Sequence, residues 1–317
     1  MRRNAYGQAA PEEAAMTPGI HTIPSAIYHA DPCAEPSLSN TIAKILIGRS
    51  ALHAWHAHPR LGNGRVEDAE EEAKFNYGSA CHDVLLEGGE ALLVISPQDY
   101  PSKPKKAGEQ GSIPKGWTND AIRAARDSAK AAGRIPVLPP QANRISAMVE
   151  VAKRFIDGSE IAEYWTDAKS EVSAIWEEDG IWLRCRFDRL HNGHRFIGDY
   201  KSTKDAEPEA FSRHISRMGY HFQDAFYRRA VRALGYPDPR FAFLAQEITA
   251  PYACSLHDCS PALQEIADAQ VERAVSLWRA CMRTGKWPGY GGRIHSAIPN
   301  NYQMQEHEDL LLEEETS

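Results

Sequence analysis

Two short segments that flank Asp179-Gly180 constrain the fold of this chain more than any other feature. Their side chains alternate between apolar and polar, and Asp-Gly is typical of a two-residue turn in a β-hairpin. A third alternating segment follows after one more turn. The three segments are 171–176, 181–190 and 195–201. The sequence therefore predicts a hairpin and a third strand in one sheet.

Helical spacing of apolar residues precedes and follows these strands. One helix is predicted to begin at 37–40, and the others cover about 77–86, 118–132, 140–157, 207–218, 220–234 and 261–283. Two more strands are predicted at 241–248 and 252–256. Helices before, between and after a cluster of strands indicate a mixed α/β (α+β) domain.

Composition divides the chain into three parts. Residues 1–24 are rich in Ala, Pro and polar residues and are predicted to be disordered. A single domain is predicted for 25–300, followed by an acidic tail at 301–317. Within the domain, 96–117 is predicted to be a long, exposed basic loop. Its lysines would contact duplex phosphates, although such a cluster is more often only a solvated face: Lys103, Lys105, Lys106 and Lys115.

The overall composition fits a globular protein, with 42% hydrophobic and 25% charged residues. No apolar run approaches the roughly 20 residues that cross a bilayer. The two arginines at the N-terminus are not followed by an apolar segment, so we expect no secretory signal and a cytoplasmic location. The net charge of −7 neither supports nor excludes a DNA substrate, because a basic channel can coexist with acidic surfaces.

The cysteines are scattered and form no CxxC pair. We interpret them as free and mostly buried thiols, with disulfides as the alternative. An iron–sulfur cluster is not expected, because Cys254, Cys259 and Cys281 lack the close spacing that such a cluster requires.

Two acids and a lysine interrupt the alternating strands. Asp188 lies near the end of the second strand, and Asp199 and Lys201 share one face of the third. Carboxylates that converge from neighbouring strands suit Mg²⁺, with Mn²⁺ as a substitute. A lysine beside them could orient water or stabilise charge on a phosphate. The alternative is that the acids cap the strands and Lys201 forms a surface ion pair.

The order of motifs around these residues closely resembles the PD-(D/E)XK nuclease superfamily. Within it, the sequence is most similar to the RecE branch, which comprises exonuclease VIII and its phage-encoded relatives. The motifs are GSACH, RCRFDRL, IGDYKST, YHFQDAFY, QE and GKWPGY. The resemblance spans roughly residues 25–295 and implies a restriction-endonuclease-like core, in which helices flank a central mixed β-sheet.

The resemblance also implies a metal site and its ligands. These are His82, Asp188, Asp199 and the carbonyl group of Tyr200. For His82, the alternative is a partly buried histidine with no metal to bind. Glu171 resembles the acidic position of the family's E-x-S segment and would join the metal shell or bind it through water. A solvent-facing glutamate on an edge strand would explain Glu171 equally well.

Further residues are implied to act in catalysis or DNA binding. Gln223 and Tyr227 lie at i and i+4 on one helix face and would contact a phosphate or brace Lys201. The alternative is that these two side chains only pack against a neighbouring element. Arg184 and Arg186 would contact DNA phosphates or merely balance the carboxylates. Thr203 and Lys204, just past the third strand, would be phosphate contacts too.

The function implied by the resemblance is that of a Mg²⁺-dependent deoxyribonuclease. The RecE branch implies 5′-to-3′ digestion of linear double-stranded DNA, a ring-like homo-oligomer and a single-strand annealing protein as partner in phage-type recombination. A structure-specific endonuclease would use the same metal site. A DNA-binding module without activity is a further alternative, which the intact Asp188, Asp199 and Lys201 disfavour.

Overall fold

The computed structural model describes residues 16–62, 76–104 and 110–315. The strands are β1 (Gly19–His21), β2 (Leu38–Ser39), β3 (Leu92–Val94), β4 (Ile135–Val137), β5 (Ala168–Glu178), β6 (Ile181–His191), β7 (Phe196–Thr203), β8 (Arg240–Glu247) and β9 (Cys254–His257). The α-helices are α1 (Ser25–His29), α2 (Asn40–Gly48), α3 (Ala51–Ala57), α4 (Tyr77–Glu87), α5 (Asp120–Ala131), α6 (Pro139–Asp157), α7 (Ala162–Thr166), α8 (Pro208–Met218), α9 (Tyr220–Ala233), α10 (Pro261–Thr284) and α11 (Asn301–Glu315).

The central sheet has the strand order β1-β5-β6-β7-β8-β9, and β2 pairs with β6 beside this row. β5 and β6 form the predicted hairpin, with Glu178 paired to Ile181 across the turn. β7 and β8 run parallel, and the other neighbours in the row run antiparallel. The sheet is therefore mixed, as the sequence predicts.

β6 and β7 separate after a short stretch of pairing. They pair only at Arg189 with Gly198 and at Leu190 with Ile197. Further back along β6, residues 183–184 pair with β2 instead, while β7 stays paired with β8 along its whole length. We call this separation of β6 from β7 the fork. By this register, the next residues on its two sides are Asp188 and Asp199.

Helices cover both faces of the sheet. The main core joins one face to α2, α3, α9 and α10, and its largest fully buried side chains include Trp176, Phe187, Phe226 and Trp278. A second core joins the other face to α4, α6 and α7, and it includes Met148, Trp165, Phe196 and Leu244. Because both faces are buried, β8 contains the nearly continuous apolar run Phe241–Ala245.

The two ends of the chain contain regular structure that the sequence did not predict. The predicted disorder of 1–24 is wrong for Gly19–His21, which form β1 and pair with β5. Ile20 packs against the main core, and the sheet satisfies the backbone of β1 despite its low apolar content. Residues 1–15 lie outside the described part. The acidic tail forms helix α11, on which the described side chains are exposed.

The described part of the predicted basic loop contains a short helix. A 3₁₀ helix spans Pro97–Asp99, and β3 pairs with β4 in a small second sheet that the sequence did not predict. Lys103 and Lys115 are exposed, whereas Lys105 and Lys106 lie outside the described residues.

The six cysteines are free thiols, and all but Cys254 are buried, as predicted. None of the helices in the described part of the chain has the length and apolar character to cross a membrane.

Candidate active site

Asp188 lies at the fork and is held there by the opposite strand. Its Oδ2 accepts a hydrogen bond of 2.9 Å from the backbone N–H of Tyr200 on β7. Burial opposes ionisation of Asp188, but the hydrogen bond and charge of His82, and then the charge of Lys201, hold its pKa below the ordinary value. Asp188 is therefore a carboxylate at neutral pH.

His82 and Glu171 converge on Asp188. The Nε2 atom of His82 lies 3.3 Å from Asp188 Oδ2 and 3.5 Å from Glu171 Oε1. Ligand atoms of the three residues all lie within 4.8 Å of one another, and no other such group of three occurs among the described residues. The hairpin register places Glu171 opposite Asp188, and Glu171 adopts a left-handed φ of 53°. We call these three residues the acid–histidine cluster.

Helix α4 brings His82 to the sheet. Asn76 caps the helix by accepting a hydrogen bond of 3.1 Å from the backbone N–H of Ser79. One turn before His82, a Cβ atom on Gly78 would lie 1.9 Å from Ser202 Oγ of β7. Only glycine therefore permits this close approach of α4 to the strand that carries Asp199. This contact explains the glycine of the GSACH motif.

The acid–histidine cluster attracts positive charge. Burial by itself lowers the pKa of His82, but the hydrogen bond and charge of Asp188, followed by the charge of Glu171, outweigh burial and raise it to about 9. Burial is the main cause that raises the pKa of Glu171, although Arg186 opposes it. At neutral pH, His82 is thus an imidazolium between two carboxyl groups.

Asp199 lies beside the cluster and is not one of its three members. It is completely buried, ion-paired through Oδ1 with Lys201, and its Oδ2 accepts a hydrogen bond from Gln223 of α9. Burial raises the pKa of Asp199 to about 7, with a further rise from the charge of Asp188 against the opposing charge of Lys201. Burial also opposes the charge of Lys201, but Asp199 and Asp188 outweigh it and raise the pKa of Lys201.

Two residues predicted for the site are placed elsewhere. Tyr227 packs in the main core, with its ring 5.3 Å from that of Phe187, which agrees with the packing alternative. The prediction that Arg184 contacts DNA is wrong, because Arg184 is only 3% exposed. Its Nη1 lies 3.0 Å from Asp31 Oδ1 and donates to the carbonyl of Ser37 at 2.9 Å. A guanidinium buried in this way cannot reach a ligand in solvent.

The remaining predicted DNA contacts have different surroundings. Arg186 forms an ion pair with Glu171 and donates to the carbonyl of Ile23 at 2.8 Å, so it braces the cluster. The hydroxyl of Thr203 donates to the carbonyl of Asp205 at 3.0 Å. Lys204 is exposed and remains free to meet a substrate.

Sequence reasoning missed Lys44, which lies next to this site on α2. Its Nζ lies 6.0 Å from the centre of the Tyr220 ring, and the Nζ of Lys201 lies 5.0 Å from the same ring. Lys44 is the only charged residue in the α2 sequence NTIAKILIG, whose residues after Thr41 are otherwise apolar. A single charge in such a helix is the feature that could have drawn attention to it.

Comparison with protein families identifies the family of this chain. Residues 60–299 match the family described as "PDDEXK-like domain of unknown function (DUF3799)". The match covers most of the chain, which therefore belongs to this family. The resemblance to the PD-(D/E)XK superfamily and the predicted fold class are thereby confirmed, whereas the closer assignment to the RecE branch stays a prediction.

A solved structure shares this fold. A protein from Eubacterium rectale, described as a "Putative exonuclease", has a TM-score of 0.52 and 14% sequence identity, with 90% of this chain and 98% of that chain covered. The structure of SSO0001 has a TM-score of 0.25 and 10% identity over 64% of this chain and 87% of that chain, too low for any argument. A search of curated proteins found no match.

Proposed function

We propose that this protein is a divalent-metal-dependent deoxyribonuclease that hydrolyses phosphodiester bonds. The observation that carries the proposal is the convergence of His82, Glu171 and Asp188 within 4.8 Å. Beside them lies the ion pair of the buried Asp199 with Lys201. Membership of the PDDEXK-like family supports the same chemistry.

The donor set fits a hard divalent cation. Carboxylate oxygens and one imidazole suit Mg²⁺ or Mn²⁺. The charge balance also fits, because in the absence of metal the imidazolium of His82 supplies the positive charge that two carboxyl groups attract. We assign His82, Glu171 and Asp188 as ligands, and we propose Asp199 and the carbonyl of Tyr200 as further ligands on the β7 side of the fork.

The cation would supply Lewis acidity toward a phosphodiester and toward water. The protein's own groups hold the reactants. Lys201 would place its ammonium group on a phosphate oxygen or on the attacking water, where it offsets developing negative charge. Gln223 fixes the orientation of Asp199 through its hydrogen bond to Oδ2. Arg186 does the same for Glu171 from the opposite strand.

We further propose exonucleolytic digestion of linear double-stranded DNA from 5′ ends. This finer assignment is supported by the motif resemblance to the RecE branch and is consistent with the exonuclease name of the Eubacterium rectale protein. The same resemblance supports a ring-like homo-oligomer and a single-strand annealing protein as partner. Lys204, which is exposed just beyond β7, would contact the bound strand.

Digestion of end-labelled linear DNA and closed-circular duplex DNA tests the proposal. Wild type and Lys201→Ala are compared in Mg²⁺ and in EDTA, with Lys153→Ala as the control, because Lys153 is exposed on α6. We expect wild type and the control to degrade linear DNA from 5′ ends only with metal, and Lys201→Ala to be inactive. Circles should survive.

The other outcomes identify the alternatives. Cleavage of circles would keep the metal site but make the protein an endonuclease. No cleavage by wild type of any substrate in Mg²⁺ or Mn²⁺ would overturn the enzymatic proposal and favour a DNA-binding module.

A further inference from the structure

Lys44 reaches the edge of the candidate active site from a separate helix. Its Nζ donates a hydrogen bond of 2.7 Å to the carbonyl of Met218, at the end of α8. The next residue, Gly219, has a φ of 64°, and a Cβ atom there would lie 3.3 Å from Lys44 Cε. Because Gly219 has no side chain, the aliphatic part of Lys44 has room to pass between α8 and α9.

Two ammonium groups share one aromatic ring at this position. Lys44 and Lys201 lie 6.0 Å and 5.0 Å from the centre of the Tyr220 ring. Lys201 has Asp199 as its partner, but in the described part of the chain no carboxylate pairs with Lys44. Burial lowers the pKa of Lys44, and the charge of Lys201 lowers it further. A like charge nearby disfavours the charged form of Lys44, and an anion bound between the two ammonium groups would favour it.

Lys44 retains the capacity to bind such an anion. An ammonium group has three donors, and the carbonyl of Met218 accepts only one of them. Lys44 is only partly buried, so the other donors can meet a ligand that enters beside Lys201.

We propose that Lys44 binds a backbone phosphate of the DNA strand held at the metal site, next to the phosphate that Lys201 contacts. This inference rests on the proposed nuclease function and adds a residue outside the recognised motifs to its substrate site. Lys44 holds the strand in both the ground state and the transition state, so it acts mainly on KM. The competing explanation is that Lys44 only ties α2 to the C-terminal end of α8, where a cation is favourable.

Steady-state cleavage of linear duplex DNA by Lys44→Ala and Lys44→Arg tests this role. The two variants are compared with wild type and with Lys153→Ala at salt concentrations from about 50 to 200 mM. We expect Lys44→Ala to lower kcat/KM by about 10- to 100-fold, mostly through KM, because it loses a charge-assisted hydrogen bond. The dependence of log(kcat/KM) on log[salt] should become shallower by about 0.9, the value for one phosphate contact with duplex DNA. Lys44→Arg should keep the salt dependence of wild type.

Three results would overturn the inference. One is that Lys44→Ala cleaves DNA like wild type. Another is that kcat/KM falls while the salt dependence stays unchanged, which would indicate a purely structural role. In both of these cases the wild-type enzyme is active, so the nuclease proposal still holds. The third is that wild type neither binds nor cleaves duplex DNA, and then the nuclease proposal falls together with this inference.

Discussion

The backbone N–H of Tyr200 donates a hydrogen bond of 2.9 Å to the carboxylate of Asp188 across the fork. This contact spans the point at which β6 leaves β7, so an acidic side chain replaces the missing backbone partner. The separation of the strands is therefore part of the site. It gives room for a carboxylate from each strand, and for His82 of α4 to approach from the side.

In the absence of metal, the charge state of His82 should control how the stability of the folded protein depends on pH. The pKa of His82 is raised to about 9, above its ordinary value near 6.5. Its ion pairs therefore contribute fully to stability below about pH 6.5, and the contribution is lost as pH rises through about 9. Thermal unfolding in EDTA should show a Tm difference between wild type and His82→Ala that shrinks from pH 6 to 10. The exposed His295→Ala variant should show no such trend, and a constant difference for His82→Ala would contradict the assignment.

Position 78 should not accommodate any residue larger than glycine, because α4 lies so close to β7 there. In Gly78→Ala, the added methyl group would overlap Ser202 and push α4 away from β7. We expect a destabilisation of about 1–3 kcal/mol and weaker Mn²⁺ binding, because His82 moves with the helix. Gly48→Ala is the matched control, since a Cβ there meets nothing within 4 Å. Denaturant unfolding and metal titration measure both effects, and normal metal affinity in Gly78→Ala would show that α4 does not position His82.

The burial of Arg184 predicts a structural role instead of DNA binding. Its replacement by Met removes the guanidinium that pairs with the buried Asp31, which keeps His58 at 3.3 Å and Arg60 at 3.8 Å as partners. The loss should cost about 3 kcal/mol, the low end for breaking a buried ion pair. Arg154→Met, on the exposed surface of α6, should cost less than about 1 kcal/mol. Urea unfolding compares the two variants. If Arg184→Met is as stable as wild type but binds DNA with a shallower salt dependence, Arg184 is a phosphate contact after all.

The amide of Gln223 should lower the pKa of Asp199. Its hydrogen bond favours the ionised carboxylate, so Gln223→Leu should raise the pKa of Asp199 further and shift the pH profile of metal-dependent cleavage to higher pH. At neutral pH we expect a loss of activity of about 10- to 100-fold, as is usual for residues that orient a metal ligand. Gln303→Leu on the exposed α11 serves as control. A fall in rate that is equal at every pH would argue against this coupling.

Much of the fold follows from local pattern. The alternation around Asp179-Gly180 predicted β5 and β6 correctly. Helix α2 begins at Asn40, within the predicted start at 37–40, and α4 begins at the predicted position, Tyr77. β1 and β3 were not predicted because each has only three residues and depends on a partner distant in sequence. Strand pairing of that kind leaves no periodic pattern to detect.

The sequence predicted which residues could form the site but not how they contact one another. The motif order identified His82, Glu171 and Asp188, which the structure brings together. It could not distinguish Arg184 from Arg186, because both alternate on the same strand face as Asp188. Only the tertiary fold buries Arg184 against Asp31 and turns Arg186 toward Glu171. Lys44 was missed for the same reason, since only the tertiary fold brings it to the Tyr220 ring that Lys201 also faces.

The rate of phosphodiester hydrolysis in linear duplex DNA shows whether Asp188 belongs to a metal-dependent nuclease site. It is measured for wild type and Asp188→Asn, each in Mg²⁺ and in EDTA. Asparagine keeps the shape of the side chain and can still accept the hydrogen bond from Tyr200, but it removes the charge that a cation requires. We predict rapid hydrolysis by wild type in Mg²⁺, none in EDTA, and a loss of about 1,000-fold or more in Asp188→Asn, on the scale of removing one essential charge-stabilising group. Equal rates for wild type and Asp188→Asn, or hydrolysis that continues in EDTA, would contradict a metal-dependent nuclease centred on Asp188.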